Sequence, residues 1–350
     1  MPTGLVADVY SRRLSIIIGY FLVGAGFIVE GAFPVLGAIL VAQVIWGVGF
    51  TFTSGAQQAW LSDELGGQGV GRIFLRGAQA AQVGGIIGIG IGVALGSIAL
   101  GLPLVVAGLA MISLGIFLMF VMPETGFSPA RGEDRQTWQV MGQTLRDGVS
   151  AFRIRPTLAI ILAVTIIYGA ASEPIDRLWP LHLLTNFTFP TVGGLDNVVW
   201  FGIIGVGTQV LGIVATELIS RRFDVDDSRS AAMILFVLNA LHIGSILVIA
   251  LAGSFALAVS LFLVSGMIRR VTDPVMDAWT NQHVDSGVCA TVFSMRGQGD
   301  AIGQIAFGPV MGAIATITTL RIALVGVAAM LVPPQALFLF TRRRKVDEES

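Results

Sequence analysis

The sequence predicts an all-α protein that crosses a membrane about ten times. Three observations carry that prediction. Hydrophobic residues make up 54% of the chain and charged residues 12%, which is roughly half the charge of a soluble domain. Apolar runs of about 20 residues, each long enough to cross a bilayer core, recur along most of the chain. Backbone polar groups in lipid must be satisfied within the segment, which excludes open sheets and leaves helices.

Taken in order, the chain opens on Pro2–Arg13, "PTGLVADVYSRR", a charged stretch that runs directly into apolar sequence. The first four spans read Leu14–Gly31, Pro34–Trp60, Phe74–Ile98 and Leu102–Met122. A long polar connection follows, Pro123 to Pro156. Trp138, Met141, Leu145, Val149 and Phe152 recur there at helical spacing, the pattern of an amphipathic helix along a membrane face, with Arg146, Arg153 and Arg155 toward phosphates. Six further spans read Thr157–Leu183, Val198–Ile219, Ser230–Ala252, Phe255–Thr280, Thr291–Ala315 and Arg321–Phe340. The longest must tilt or run past the membrane surface. The expected organisation is a first bundle over 1–122, a linker over 123–156, a second bundle over 157–341 and a tail over 342–350.

Arginine sets the orientation. With the linker on the cytoplasmic side, Arg12, Arg13, Arg72, Arg131, Arg135, Arg221, Arg222, Arg229 and the tail "RRRK" all lie inside. Such a bias predicts a multi-pass protein of an inner or plasma membrane with a cytoplasmic C-terminus.

The composition also excludes function classes. One cysteine, Cys289, rules out a disulfide framework, and His182, His242 and His283 lack metal-ligand spacing. No Gly-x-Ser-x-Gly, His-Glu-x-x-His or phosphate loop occurs, so neither an enzyme nor a metal or organic cofactor is expected. The net charge of −1 says little, because the distribution of cations carries the information, and no nucleic-acid partner is expected.

The chain repeats itself. "QQAWLSDELGGQGVGRIFLRG" (57–77) pairs with "MDAWTNQHVDSGVCATVFSMRG" (276–297), Ala59-Trp60 on Ala278-Trp279 and Arg76-Gly77 on Arg296-Gly297. Gly88 and Gly92 match Gly308 and Gly312. Asp8, Ser11, Arg12 and Arg13 fall on Glu217, Ser220, Arg221 and Arg222. Two parallel repeats of six helices follow. The expectation is then that Pro2–Arg13 is a loop between second and third helices, and that the first two helices are missing.

Polar groups within the spans are candidates for substrate or proton work. Glu173, Asp176 and Arg177 share a helix face at i, i+3 and i+4 beside Pro174. Gln79 with Gln82, and Asp300 with Gln304, form smaller polar faces. Arg269, Asp273 and Asp277 read as a ladder near an inner gate. Gly84, Gly88, Gly92 and Gly96 give a bare helix face suited to close packing.

Gly4-Leu5-Val6-Ala7-Asp8-Val9-Tyr10-Ser11-Arg12-Arg13, with the repeat and the central linker, resembles the major facilitator superfamily of secondary transporters, whose loop motif reads Gly-x-x-x-Asp-x-x-Gly-Arg-Arg. Ser11 stands in place of the second glycine. Residues 52–65 look like the fourth-helix segment of bacterial drug-efflux-like permeases. The family's antiporter signature places a Gly-Pro pair in the fifth helix, whereas here Gly308-Pro309 stands in the eleventh.

The resemblance implies two bundles that rock around a central small-molecule site, driven by protons in most bacterial members, in a protein expected to be monomeric. It places Asp8 against the eleventh helix, which begins near Thr291. Arg12 and Arg13 are within reach of Asp63 and Glu64, making a gate with Gly4 at its turn. Glu217, Arg221 and Arg222 form the second copy, where Gln282 and His283 replace Asp63 and Glu64. The competing expectations are a non-transporting relative and a nutrient uptake permease.

Overall fold

The computed structural model describes residues 2–66, 69–96, 98–127, 146, 150, 152–153, 155–190 and 197–339. The amphipathic helix expected in the linker, Arg131, Arg135 and the basic tail fall largely or wholly outside them. The described residues are mostly helical, joined by short turns and irregular segments, and none of them forms a strand. In chain order the helices are α1 (Pro2–Val9), α2 (Arg12–Ala32), α3 (Leu36–Thr53), α4 (Ala56–Glu64), α5 (Val70–Gly96) and α6 (Leu102–Val121). After the linker come α7 (Pro156–Asn186), α8 (Asn197–Arg222), α9 (Ser228–Leu251), α10 (Phe255–Asn281), α11 (Cys289–Ile317) and α12 (Leu320–Met330).

Ten helical stretches of the described residues are long and apolar enough to span a membrane, as the apolar runs predict. One of them, Leu36–Glu64, is broken between α3 and α4. The break is at Gly55, where φ is +83° and a Cβ would lie 2.5 Å from the Ala290 carbonyl oxygen. Both the left-handed backbone and the close approach demand glycine. The turn also redirects α4, whose Ala59 carbonyl and Asp63 carboxylate become important below.

The chain forms two compact units. One comprises 1–70, 87–156 and 283–297. Its core gathers Ala7, Ile16, Ala56, Ala59, Met122, Cys289, Ala290 and Phe293. Within it α2 approaches its neighbours through paired glycines: Gly19 meets Gly49 of α3, and Gly24 meets Gly108 of α6. The other unit comprises 71–86, 157–282 and 298–350. Its larger core is built on Ile175, Leu178, Ile246, Ile249, Leu324 and Val327.

The bare face expected to pack closely on α5 does not do so. A Cβ added at Gly84, Gly88 or Gly92 meets nothing within 4 Å, and at Gly96 it meets Pro103 at 3.7 Å. A glycine stripe lowers the cost of close approach but supplies no attraction of its own. The α5 face that does pack carries Gln79, Gln82 and Gly85.

Candidate functional site

The loop motif builds a buried lock in the first unit. Asp8 lies in the last turn of α1 and Arg12 in the first turn of α2, joined by the Tyr10-Ser11 turn. Ser11 caps α2: its backbone is extended and its hydroxyl accepts from Leu14 N–H at 2.9 Å. That explains serine at the motif's second glycine position, because Ser is a preferred N-cap residue. Glu124 accepts from the Ser11 hydroxyl at 2.7 Å and from Arg13 N–H at 3.0 Å, a carboxylate at the positive end of α2.

Asp8 is fully buried. Its Oδ1 accepts from Ala290 N–H at 3.0 Å, and its Oδ2 from Thr291 N–H at 2.7 Å and the Thr291 hydroxyl at 2.6 Å. These amides open α11 and have no partner inside that helix. Arg12, also fully buried, lies 3.6 Å from Asp8 through Nη2. It pairs with Asp63 and donates to the Ala59 carbonyl through Nη1, and to the Ser286 carbonyl through Nη2 at 2.5 Å. The Ser286 hydroxyl closes the ring on Asp63 at 2.5 Å. Burial pushes the Asp8 carboxyl up to about 6, against the Arg12 charge and the Thr291 and Ala290 donors, which pull it down.

Gly4 lies on α1 one turn before Asp8. Arg13 and Glu64 do not meet. Arg13 donates to the Met119 carbonyl, while Glu64 accepts from the Thr125 hydroxyl at 2.7 Å and Gly126 N–H at 2.9 Å. Successive helical residues point about 100° apart, so Arg12 turns inward and Arg13 toward the end of α6.

The second copy, in the other unit, is built differently. Ser220, Arg221 and Arg222 belong to the end of α8 instead of opening the next helix. Glu217 pairs with Arg76 at 2.6 Å and Arg221 at 2.6 Å, and accepts from Gln79 at 3.0 Å; Arg222 is exposed. The carboxylate that reaches a helix start is Asp226, which accepts from Gly71 N–H at 2.7 Å. Gly71 stands five residues before Arg76, as Thr291 stands five before Arg296. Gln282, at the place of Asp63, donates to the Val225 carbonyl at 2.7 Å.

The intramembrane charges of this unit also differ from expectation. Arg177 pairs with Glu173 at 2.9 Å, but Asp176 takes Arg269 as its cation. Arg269 grips it with two hydrogen bonds, Nη1–Oδ1 at 2.5 Å and Nη2–Oδ2 at 2.9 Å. Arg269 stands midway along α10, within the electrostatic reach of Asp273 and Asp300, and so away from the inner end where the ladder reading put it. Gln304 donates to Asp300 at 2.7 Å. His242 of α9 meets the Ser265 hydroxyl at 3.0 Å. The side-chain carbonyl of buried Gln82 has no partner. No group of three or more His, Cys, Asp or Glu that would hold a metal is found among the described residues.

A family model described as Major Facilitator Superfamily matches residues 1–295. The chain belongs to that superfamily. It is 21% identical over 356 aligned positions to YxaM, an uncharacterized MFS-type transporter of Bacillus subtilis (strain 168), covering 99% of this chain and 84% of the relative. Two solved transporters share the fold. The human organic anion transporter TETRAN superposes with a TM-score of 0.72 at 15% identity, over 96% of this chain and 79% of that one. The E. coli fucose:proton symporter FucP does so with a TM-score of 0.70 at 16% identity, over 97% and 86%. Membership and ten apolar helices make this chain a multi-pass membrane protein of a transporter family that handles small molecules, rather than an enzyme.

Proposed function

We propose that the protein moves a small polar solute by alternating access, coupled to protons through the Asp176–Arg269 pair. The bundles 1–122 and 157–341 rock about a central site, the arginine-rich ends face the cytoplasm of an inner or plasma membrane, and the chain works as a monomer. The likeness of residues 52–65 to drug-efflux-like permeases supports export as the direction.

The observation that carries proton coupling is the two-fold grip of Arg269 on Asp176 in the middle of the membrane-spanning helices. An adjacent cation favours the ionised carboxylate, and its withdrawal in a low-dielectric site favours the protonated one. A shift of α7 against α10 within the second bundle that parts the pair therefore loads a proton, and its reversal releases it. Of the two carboxylates on this helix face, Asp176 is the better switch. The partner of Glu173 lies on its own helix one turn away, so helix movement does not part the two.

Cys289 supplies the test. It is the single cysteine and lies buried at the start of α11 beside Ala290, so its reaction with a maleimide reports opening of the lock. In the wild type, the labelling rate should change with pH after correction for thiol ionisation, and Asp176→Asn should reduce that profile to the part that Asp8 carries. An unchanged pH profile in Asp176→Asn removes Asp176 from coupling.

A further inference from the structure

In the second unit, α5 from Gln79 to Gly85 lies against α8 from Gln209 to Glu217, and two glycines leave room there for polar side chains. A Cβ at Gly212 would sit 2.9 Å from both Gln82 Oε1 and Arg270 Cδ, and one at Gly85 would strike the Gln209 amide. Gln82 is 4% exposed and Gln209 9%, yet the side-chain oxygen of each has no hydrogen-bond partner. Arg270 Nε is likewise buried and unpartnered. Among the described residues the guanidinium's polar contact is the Thr208 hydroxyl, 3.3 Å from Nη2.

Its neighbour makes the contrast. Arg269 is neutralised by Asp176 through two hydrogen bonds, whereas Arg270 has no hydrogen bond to a carboxylate among the described residues: Asp273 and Asp176 act on it only through their field. Buried polar atoms are nearly always paired. Three in one seam call for a partner of complementary chemistry: an anion for the guanidinium, and donors for the amide oxygens.

We propose that this seam binds small carboxylates that carry hydroxyl groups. The carboxylate sits on Arg270, whose planar fork suits it, and the hydroxyls bond Gln82 and Gln209. A hydroxyl both donates and accepts, so it serves an amide in either orientation. The inference rests on the transport reading and names its substrate class. An apolar or cationic solute would leave both the arginine and the amides unsatisfied.

The test is calorimetric binding to the full chain in lipid nanodiscs. The probes are gluconate and lactate, with hexanoate and propionate as their counterparts lacking hydroxyls. At least one hydroxy acid should bind saturably, and its counterpart at least about tenfold more weakly, the size of one lost hydrogen bond. Arg270→Gln should abolish binding. Arg270→Lys, which keeps the charge but not the fork, should weaken it by about tenfold or more, and Gln82→Leu should erase the preference for the hydroxyl. A melting temperature kept near that of the wild type in each variant shows that the fold is kept. Absence of saturable binding by both hydroxy acids, or undiminished binding in Arg270→Gln, overturns the proposal. Such a result beside a Cys289 pH profile that Asp176→Asn weakens leaves proton-coupled alternating access standing. A flat wild-type profile beside gluconate binding removes that reading and keeps the seam.

Discussion

At the start of α11, Asp8 meets two amides and a hydroxyl with both carboxylate oxygens, and Arg12 joins it to Asp63. All three ionised side chains are at most 3% exposed. At the start of α5, Asp226 meets one amide, and the neighbouring ion pairs are open: Arg76 is 55% exposed and Arg221 75%. The two repeats thus place a carboxylate at corresponding helix starts by different routes. In the first it comes from the motif's own aspartate. In the second α8 runs on through Arg222, carrying Glu217 away, and the following turn supplies Asp226 instead. A buried network is costly to break, because each lost partner strands a charge out of water. An exposed one is screened and nearly neutral. The lesson is that the first site holds and the second one guides.

The largest break should come from Arg12→Gln. It strands Asp8 and Asp63 in the lock, a loss of about 3–5 kcal/mol, and should appear as fast Cys289 labelling together with a lower melting temperature. Equal stability in the variant would mean that the buried arginine is a bystander. A smaller effect is expected from Asp226→Ala, which leaves the Gly71 amide unpaired. The cost is about 1–3 kcal/mol for a fully buried donor and less for this half-buried one. Thermal unfolding should register it without exposing Cys289, and exposure of Cys289 by this change would contradict the independence of the two sites.

Acid should act on the first site through Asp8. Locked Asp8 has its carboxyl raised to about 6, above that of a carboxylate in water, so the locked state binds the proton more tightly. Lowering pH from neutral through 6 therefore favours the lock, and raising it through the same window favours release. Cys289 labelling, corrected for thiol ionisation, should slow on acidification even in Asp176→Asn to the extent that Asp8 titrates; acceleration there would reverse the sign. The smallest effect belongs to Glu217→Gln. Its pairs with Arg76 and Arg221 face solvent, so labelling and stability should stay within about threefold of wild type.

Much of this was legible in the sequence. The span Leu102–Met122 matches α6 within a residue, and Phe255–Thr280 matches α10 equally well, because apolar runs end where turn formers begin. The break at Gly55 was not legible, since the span Pro34–Trp60 reads straight through it and the reason for glycine lies in the distant Ala290 carbonyl. The approach of Asp8 to the eleventh helix followed from the family motif. The Asp176–Arg269 pair did not, because its members are 93 residues apart and hydropathy carries no record of which helices are neighbours. Local spacing favoured Arg177 for the same reason. Asp226 was hidden by the alignment itself, which set Glu217 on Asp8 where the structure extends a helix.

The account turns on Asp8 holding α11 by its first amides, and Asp8→Asn tests this most directly. Both Asp8 oxygens accept from N–H groups, so an amide must turn its NH2 toward a donor, whereas a protonated carboxyl keeps a lone pair on each oxygen. One stranded buried donor costs about 1–3 kcal/mol, or roughly fivefold to a hundredfold in the open population. Maleimide labelling of Cys289 in membrane vesicles should accelerate by that factor in Asp8→Asn, with the melting temperature lowered less than in Arg12→Gln. Labelling at the wild-type rate would contradict the lock.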